Sequence, residues 1–306
     1  MNDKSLKDRI VKDFKRNKVK YYILIPVLIY LILFCYKPMY GIIIAFKNYR
    51  PTLGVMASKW VGLQWFESFF GDIYFPRLLR NTFTISMLKL LFTFPSAILL
   101  ALMLNEVKVA WFGKIVQTVT YLPHFIAMVV MCGLITSFTQ TNGLVTNILV
   151  AFGMERVNLL SKPEFFYPIY IISEIWKNVG WDSIIFLAAL SGIDQEQYEA
   201  AKIDGAGRLK QIWYITLPGI LPTIVMLLIL KMGQVLGVGH EKILLLYQPL
   251  TYEVADVIST YSYRKAFVDA NYSYSTAIGL FNSVVNIIFL RTANFISKKA
   301  GQSGLF

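Results

Sequence analysis

Chemistry needs clustered donors, acceptors or nucleophiles, so the residues able to form such clusters come first. His240-Glu241 begins like the zinc-hydrolase pattern H-E-x-x-H, but Leu244 stands where the second histidine is needed. The sequence holds two histidines and two cysteines, Cys35 and Cys132 both inside apolar runs, so no metal-ligand set and no disulfide framework is expected. Gly113-Lys114 is the one Gly-Lys pair. Lys108 replaces the first glycine of a phosphate cradle and Ile115 replaces its Ser/Thr, so the chain has no ATP-hydrolysing motif of its own. No catalytic residue is expected.

Other polar residues recur at helical spacing inside apolar segments. Glu174, Asn178, Trp181 and Asp182 fall on one face of a helix, as do Ser275, Gly279, Asn282 and Asn286, and Ser86, Lys89 and Thr93. Unpaired polar groups facing lipid are costly, so these stripes face a bundle interior. Lys89, Asn178, Trp181, Asp182, Asn282 and Asn286 offer amides, charges and an aromatic platform suited to a sugar. The same stripes also suit interhelical hydrogen bonding that only holds a bundle together. Lys89 reads as a paired or snorkelling lysine, or, if it reaches a pathway, as a contact for an acidic sugar.

The elements that position these residues are membrane helices. Of 306 residues, 56% are hydrophobic and 16% charged, against about 25% charged in a soluble domain. Six stretches approach the roughly 20 apolar residues a crossing needs: Tyr22–Phe46, Thr82–Leu104, Ile115–Phe138, Tyr167–Leu190, Trp213–Gly233 and Tyr274–Ser297. Pro218 and Pro222 punctuate the fifth. The first lacks a small-residue cleavage site and reads as a retained helix. The expected fold is all-α and polytopic.

The net charge of +12 is mostly topology, not a nucleic-acid footprint. Residues 1–21 form a basic arm with eight Lys or Arg; placing it in the cytoplasm also places Lys108, Lys114, Lys202, Arg208, Lys210, Arg291, Lys298 and Lys299 there. Both termini are then cytoplasmic, and a membrane domain at 22–306 carries outer loops at about 47–81, 139–166 and 234–273. Trp60, Trp65, Phe66, Phe69 and Phe70 in the first loop, and the tyrosines of the last, suit an interfacial belt or a docking face.

The inner segment at about 191–218 differs from an ordinary connector. Asp194, with Gln197 three residues on, starts a short helix in the manner of a capping box, and Gly205 supplies its stop. Ala200, Ala201, Ala206 and Gly207 permit close approach, while Glu199, Lys202 and Asp204 can pair with a partner's charges.

Glu199-Ala200-Ala201-x-x-x-Gly205, followed by Ile215-x-Leu217-Pro218-x-x-x-Pro222, resembles the EAA loop of permease subunits in type I, binding-protein-dependent ABC importers. Asn81-Thr82-Phe83, Tyr121-Leu122-Pro123-His124 and Asp204-Gly205-Ala206 resemble the carbohydrate permeases among them. Trp176-Lys177-x-x-Gly180-Trp181, Tyr261-Ser-Tyr263, the run from Ser273 to Ser283 and the closing Gly304-Leu305-Phe306 are similar to the subgroup that handles oligo- and polysaccharide fragments. His240-Glu241-Lys242-Ile243 departs from that pattern.

The resemblance, spanning roughly residues 10–306, implies a multi-pass protein of the bacterial plasma membrane. It would form half of an oligosaccharide pathway with a second homologous permease, two copies of an ATPase subunit and an extracellular solute-binding protein. ATP and Mg²⁺ would act at the ATPase, no cofactor at this chain. Glu199, Ala200, Ala201, Asp204, Gly205 and Ala206 would couple the pore to the ATPase through the helix at 194–207. An ion-gradient-driven transporter or channel is the alternative, and it needs no such helix.

Overall fold

A computed structural model describes residues 13–301, 304 and 305. Residues 1–12 of the expected basic arm and Phe306 lie outside the described residues. The described chain is mostly helical, with one two-residue antiparallel pairing of β1 (Lys47–Asn48) and β2 (Lys59–Trp60).

Helix α1 (Lys18–Tyr30) runs on through a π turn at Leu31–Tyr36 and a 3₁₀ turn at Tyr40–Phe46. Pro38 explains the irregularity, since it supplies no N–H to the preceding turn. No residue of α1 or of the π turn is buried within the chain.

Two helices form the spine. α3 (Phe75–Asn105) follows the short α2 (Gln64–Phe70), and it packs along α7 (Pro163–Ser191). Near their ends Ala97 and Ala101 of α3 meet Phe186 and Leu190 of α7 and Ile220, small residues opposite large ones. At 31 residues α3 is about 46 Å long.

Between them the chain departs from the continuous crossing expected at Ile115–Phe138. α4 (Ala110–Tyr121) ends in a 3₁₀ turn at Leu122–Phe125, Ile126 and Ala127 are extended, and α5 (Met128–Thr139) restarts the path toward α6 (Leu144–Ala151). Pro123 lacks the N–H that would continue the α-helical ladder, and the helical path ends three residues later at Ile126. Lys177 Nζ donates to the freed carbonyls of Ile126 (2.5 Å) and His124 (3.3 Å), so the break is satisfied inside protein.

After α7 come the exposed α8 (Gln195–Ile203), a second π turn at Ile212–Thr216 and α9 (Leu217–Met232). The chain then folds back through α10 (His240–Leu246) and α11 (Ile258–Phe267) before α12 (Tyr272–Lys299). Five helical paths are long and apolar enough to cross a membrane: Lys18–Phe46, Phe75–Asn105, Met128–Ala151, Arg208–Met232 and Tyr272–Lys299. α7 has the length, but Glu174, Lys177 and Asp182 set it apart from those five.

The segment expected as a Tyr-rich outer loop at 234–273 contributes residues to the core. Val238, Ile243, Leu246, Ala255 and Val257 pack with Ile85, Phe166 and Tyr170 in one core cluster. The aromatic group of 47–81 also divides. Phe69 is buried beside Tyr261 and Tyr274, with Trp65 packed against them, whereas Trp60 and Phe70 stay exposed.

Candidate functional sites: an exposed capped helix and a buried charge cluster

α8 is built by its own sequence. Asp194 is the N-cap, and its Oδ1 accepts from the Glu196 amide at 3.0 Å. The cap thus engages the second helical residue, without the reciprocal bond from Gln197 that a capping box would add. At the far end Gly205 adopts φ +74°, the Ala206 amide reaches the Ala201 carbonyl (2.8 Å), and the Gly205 amide reaches that of Lys202 (3.1 Å). These two bonds make a Schellman turn. A Cβ at Gly205 would meet nothing within 4 Å, so glycine is required by backbone conformation and not by space.

Glu199, Ala200, Asp204 and Gly205 are exposed, Ala201 and Ala206 half-buried, so the structure brings all six expected coupling residues onto one projecting element. Ile203 is 87% exposed and Leu209 74%, apolar side chains that the described residues leave largely uncovered. Two bonds anchor the projection. Tyr198 Oη and Thr216 Oγ1 are 3.0 Å apart, and Gln211 Nε2 donates to the Ala206 carbonyl at 2.8 Å. Tyr198 therefore ties α8 to the π turn that leads into α9, a link not foreseen from sequence.

The polar stripe of α7 splits. Glu174 is buried and bridges two lysines: Lys89 Nζ lies 2.6 Å from Oε1, and Lys242 Nζ lies 2.9 Å from Oε2. Lys242 also donates to the Tyr170 carbonyl (3.0 Å) and sits 4.3 Å from the centre of the Tyr170 ring. Asp182 pairs with Lys231 of α9 at 3.1 Å. Lys89, Asp182, Lys231 and Gln234 line a cavity of about 100 Å³, together with Ser86 and Thr93.

Asn178 and Trp181 turn elsewhere. Trp181 stacks on His124 with ring centres 4.5 Å apart and planes 2° from parallel. Asn178 Oδ1 lies 3.3 Å from His124 Nδ1 and accepts from it when that nitrogen carries the proton. Gly180, between them, abuts the Thr120 carbonyl so closely that a Cβ would overlap it. The motifs at 121–124 and 176–181 are thus two halves of one packed joint.

Asn286 Oδ1 accepts from the Leu236 amide at 2.9 Å, fastening α12 to the returning segment. Asn282 Oδ1 is buried without a partner among the described residues, and neither asparagine lines the cavity.

Asn81 and Thr82 hold the segment before α11: Asn81 Nδ2 donates to the carbonyls of Glu253 (2.8 Å) and Asp256 (3.0 Å), and Thr82 Oγ1 accepts from the Ile258 amide (3.0 Å). Asp256 receives Arg264 in a two-pronged pair at 2.8 and 2.6 Å. Nearby, Asp72 accepts hydrogen bonds from the hydroxyls of Tyr261 and Tyr274. Burial raises the Asp72 carboxyl, but the Tyr261 hydroxyl, the Tyr74 amide and the Tyr274 hydroxyl outweigh it and hold the group below the usual carboxylate range.

Residues 93–302 match the family described as binding-protein-dependent transport system inner membrane component. The chain belongs to this family. Bacillus subtilis (strain 168) has a 46% identical relative, protein LplB, aligned over 95% of this chain and 92% of that one. A second from the same strain, the polygalacturonan/rhamnogalacturonan transport system permease protein YteP, is 44% identical over 99% and 95%. In solved structures the permease fold recurs in a bacterial ABC transporter involved in import of the acidic polysaccharide alginate: 47% identity, TM-score 0.87, covering 95% of this chain and 99% of that one. A bacterial alginate ABC transporter in complex with alginate pentasaccharide-bound periplasmic protein gives 46% identity, TM-score 0.88, and coverage of 97% and 100%. As such an inner membrane component with several apolar helices, the permease is a multi-pass plasma-membrane protein.

Proposed function

We propose that this permease forms half of a translocation pathway for oligosaccharides and is driven by an ATPase that docks on α8. The chain is the permease of an ABC sugar importer, working with a binding protein. On this reading α7 is a sixth crossing whose charges are paired inside the bundle, and both termini are cytoplasmic, in keeping with the basic residues of 1–21. A second homologous permease completes the pathway, two ATPase subunits bind ATP and Mg²⁺, and an extracellular binding protein delivers the sugar. The chain binds no cofactor itself.

The observation that carries this reading is the projecting helix. α8 is polar and exposed, closed at both ends by its own caps, and tipped with the exposed apolar Ile203. A rigid element of this kind suits a groove in another protein. Closure of the ATPase around ATP would displace α8, and the Tyr198–Thr216 bond would pass that displacement to α9.

Purification of the tagged chain from native membranes in mild detergent tests the assembly. Recovery of a second permease and an ATPase, with the ATPase lost in Glu199→Lys, is the expected result. A chain that elutes alone or only with copies of itself would overturn the proposal.

A further inference from the structure

The charges around the cavity do not balance. Glu174 is one anion shared by two cations, near the middle of α3 and α7, and Asp182 is already matched by Lys231. Lys177, one turn from Glu174, adds another cation, directed at the carbonyls of His124 and Ile126. At ion-pair distance, then, one buried carboxylate faces two ammonium groups, an imbalance that is costly away from water.

The three ion-paired groups, Lys89, Glu174 and Lys242, differ in freedom. The side chain of Lys242 is 1% exposed and that of Glu174 is 6%, whereas that of Lys89 is 36% exposed and lines the cavity. Lys242 is held by a carboxylate, a carbonyl and a ring face. Glu174 is the one partner of Lys89 among the described residues. Lys89 alone is placed to move.

A second observation points to a ligand at the same place. Thr93 lies one helical turn beyond Lys89, lines the same cavity, is only 4% exposed, and its hydroxyl has no partner among the described residues. A buried hydroxyl left unmatched beside a lysine is complementary to a molecule that presents an anion and a hydroxyl close together.

Resting on the sugar-import reading above, we infer that this cavity recognises a sugar carboxylate. Lys89 exchanges the carboxylate of Glu174 for that of a uronate residue, while Lys242 keeps Glu174 neutralised and Thr93 receives a neighbouring hydroxyl. The exchange replaces one carboxylate by another on the same ammonium, so no buried charge is stranded at any point. It also explains why two lysines share one glutamate: the second cation is what lets the first depart. Lys89 is thus a specificity-determining contact, and Lys242 a positioning residue that acts through Glu174.

The test uses the assembled transporter with its binding protein in proteoliposomes, and compares ATP-driven uptake of trigalacturonate with that of its carboxyl-reduced counterpart. The ratio of acidic to neutral uptake is the readout, because it does not depend on how much transporter folds. Lys89→Gln should lower this ratio about tenfold or more, the effect of losing a charged hydrogen bond. Lys89→Arg should restore most of it, and Lys242→Met should lower it by locking Lys89 to Glu174. A ratio unchanged in Lys89→Gln overturns the inference and leaves the import reading standing. Wild-type transporter that accepts only the neutral sugar does the same. Uptake of neither sugar removes the import reading and this inference with it.

Discussion

α8 and the Glu174 cluster are both polar islands in an apolar chain, built in opposite ways. α8 is local: Asp194 caps it, Gly205 turns it off, and its surface faces outward. The cluster is long-range: Lys89 comes from α3 and Lys242 from α10, and the carboxylate between them is buried. The first depends on backbone geometry, the second on charge pairing. The same kind of substitution should therefore be felt as lost coupling in one region and as lost stability in the other.

The largest break in that contrast is Glu174→Ala, which strands Lys242 in the core. Removing one partner of a buried pair costs roughly 3–5 kcal/mol, and thermal unfolding in detergent should show a correspondingly large fall in Tm. Adding Lys242→Met should recover part of it, since only the half-exposed Lys89 then lacks a partner; a double mutant no better than the single would refute the pairing account.

Gly205→Val is next. A β-branched residue held at φ +74° costs about 1–2 kcal/mol, confined to the turn after α8. Sugar uptake should fall roughly tenfold while the chain still accumulates in the membrane with near-normal Tm. Undiminished uptake would show that the turn's shape is irrelevant to coupling.

Asp194→Ala removes one cap at about 1 kcal/mol. Amide hydrogen exchange should quicken across 195–203, and protection around Glu174 should not change. If both regions respond, α8 is not the independent local unit its caps describe.

The smallest effect concerns Asp72. Its carboxyl is held below its unfolded value of about 3.9, so its contribution to stability is fully present above that value and fades as pH falls through the lower folded value. Stability measured from pH 5 to 8 should show no Asp72-dependent change. Below about pH 4 the protein should weaken, and Tyr261→Phe should flatten that acid loss.

Much of this was legible beforehand because it is local. The crossings at 82–104 and 274–297 fall inside α3 and α12, and both ends of α8 follow from Asp194 and Gly205. The third crossing was misread because hydropathy averages over Pro123 and cannot register that Lys177, fifty residues on, supplies the missing donor. Helical spacing groups Glu174, Asn178, Trp181 and Asp182, yet a helix wedged among several neighbours points adjacent residues of one stripe at different partners. Lys242 lies outside the stripes that helical spacing singles out. Its one local signal is a cation set directly against the apolar run Ile243-Leu244-Leu245-Leu246, a placement a water-exposed loop does not need.

The π turn at Ile212–Thr216 has a consequence for phase. A π turn carries one residue more than the α-helical register, and each residue of an α-helix advances about 100° around its axis. Arg208–Gln211 and Leu217–Met232 are therefore joined in one rod but offset in rotation. The same offset sets where the exposed Trp213 and Tyr214 point relative to the bundle face of α9. If a π turn can relax to an α turn, the rod can rotate one end against the other without bending, like a screw thread with one loose pitch.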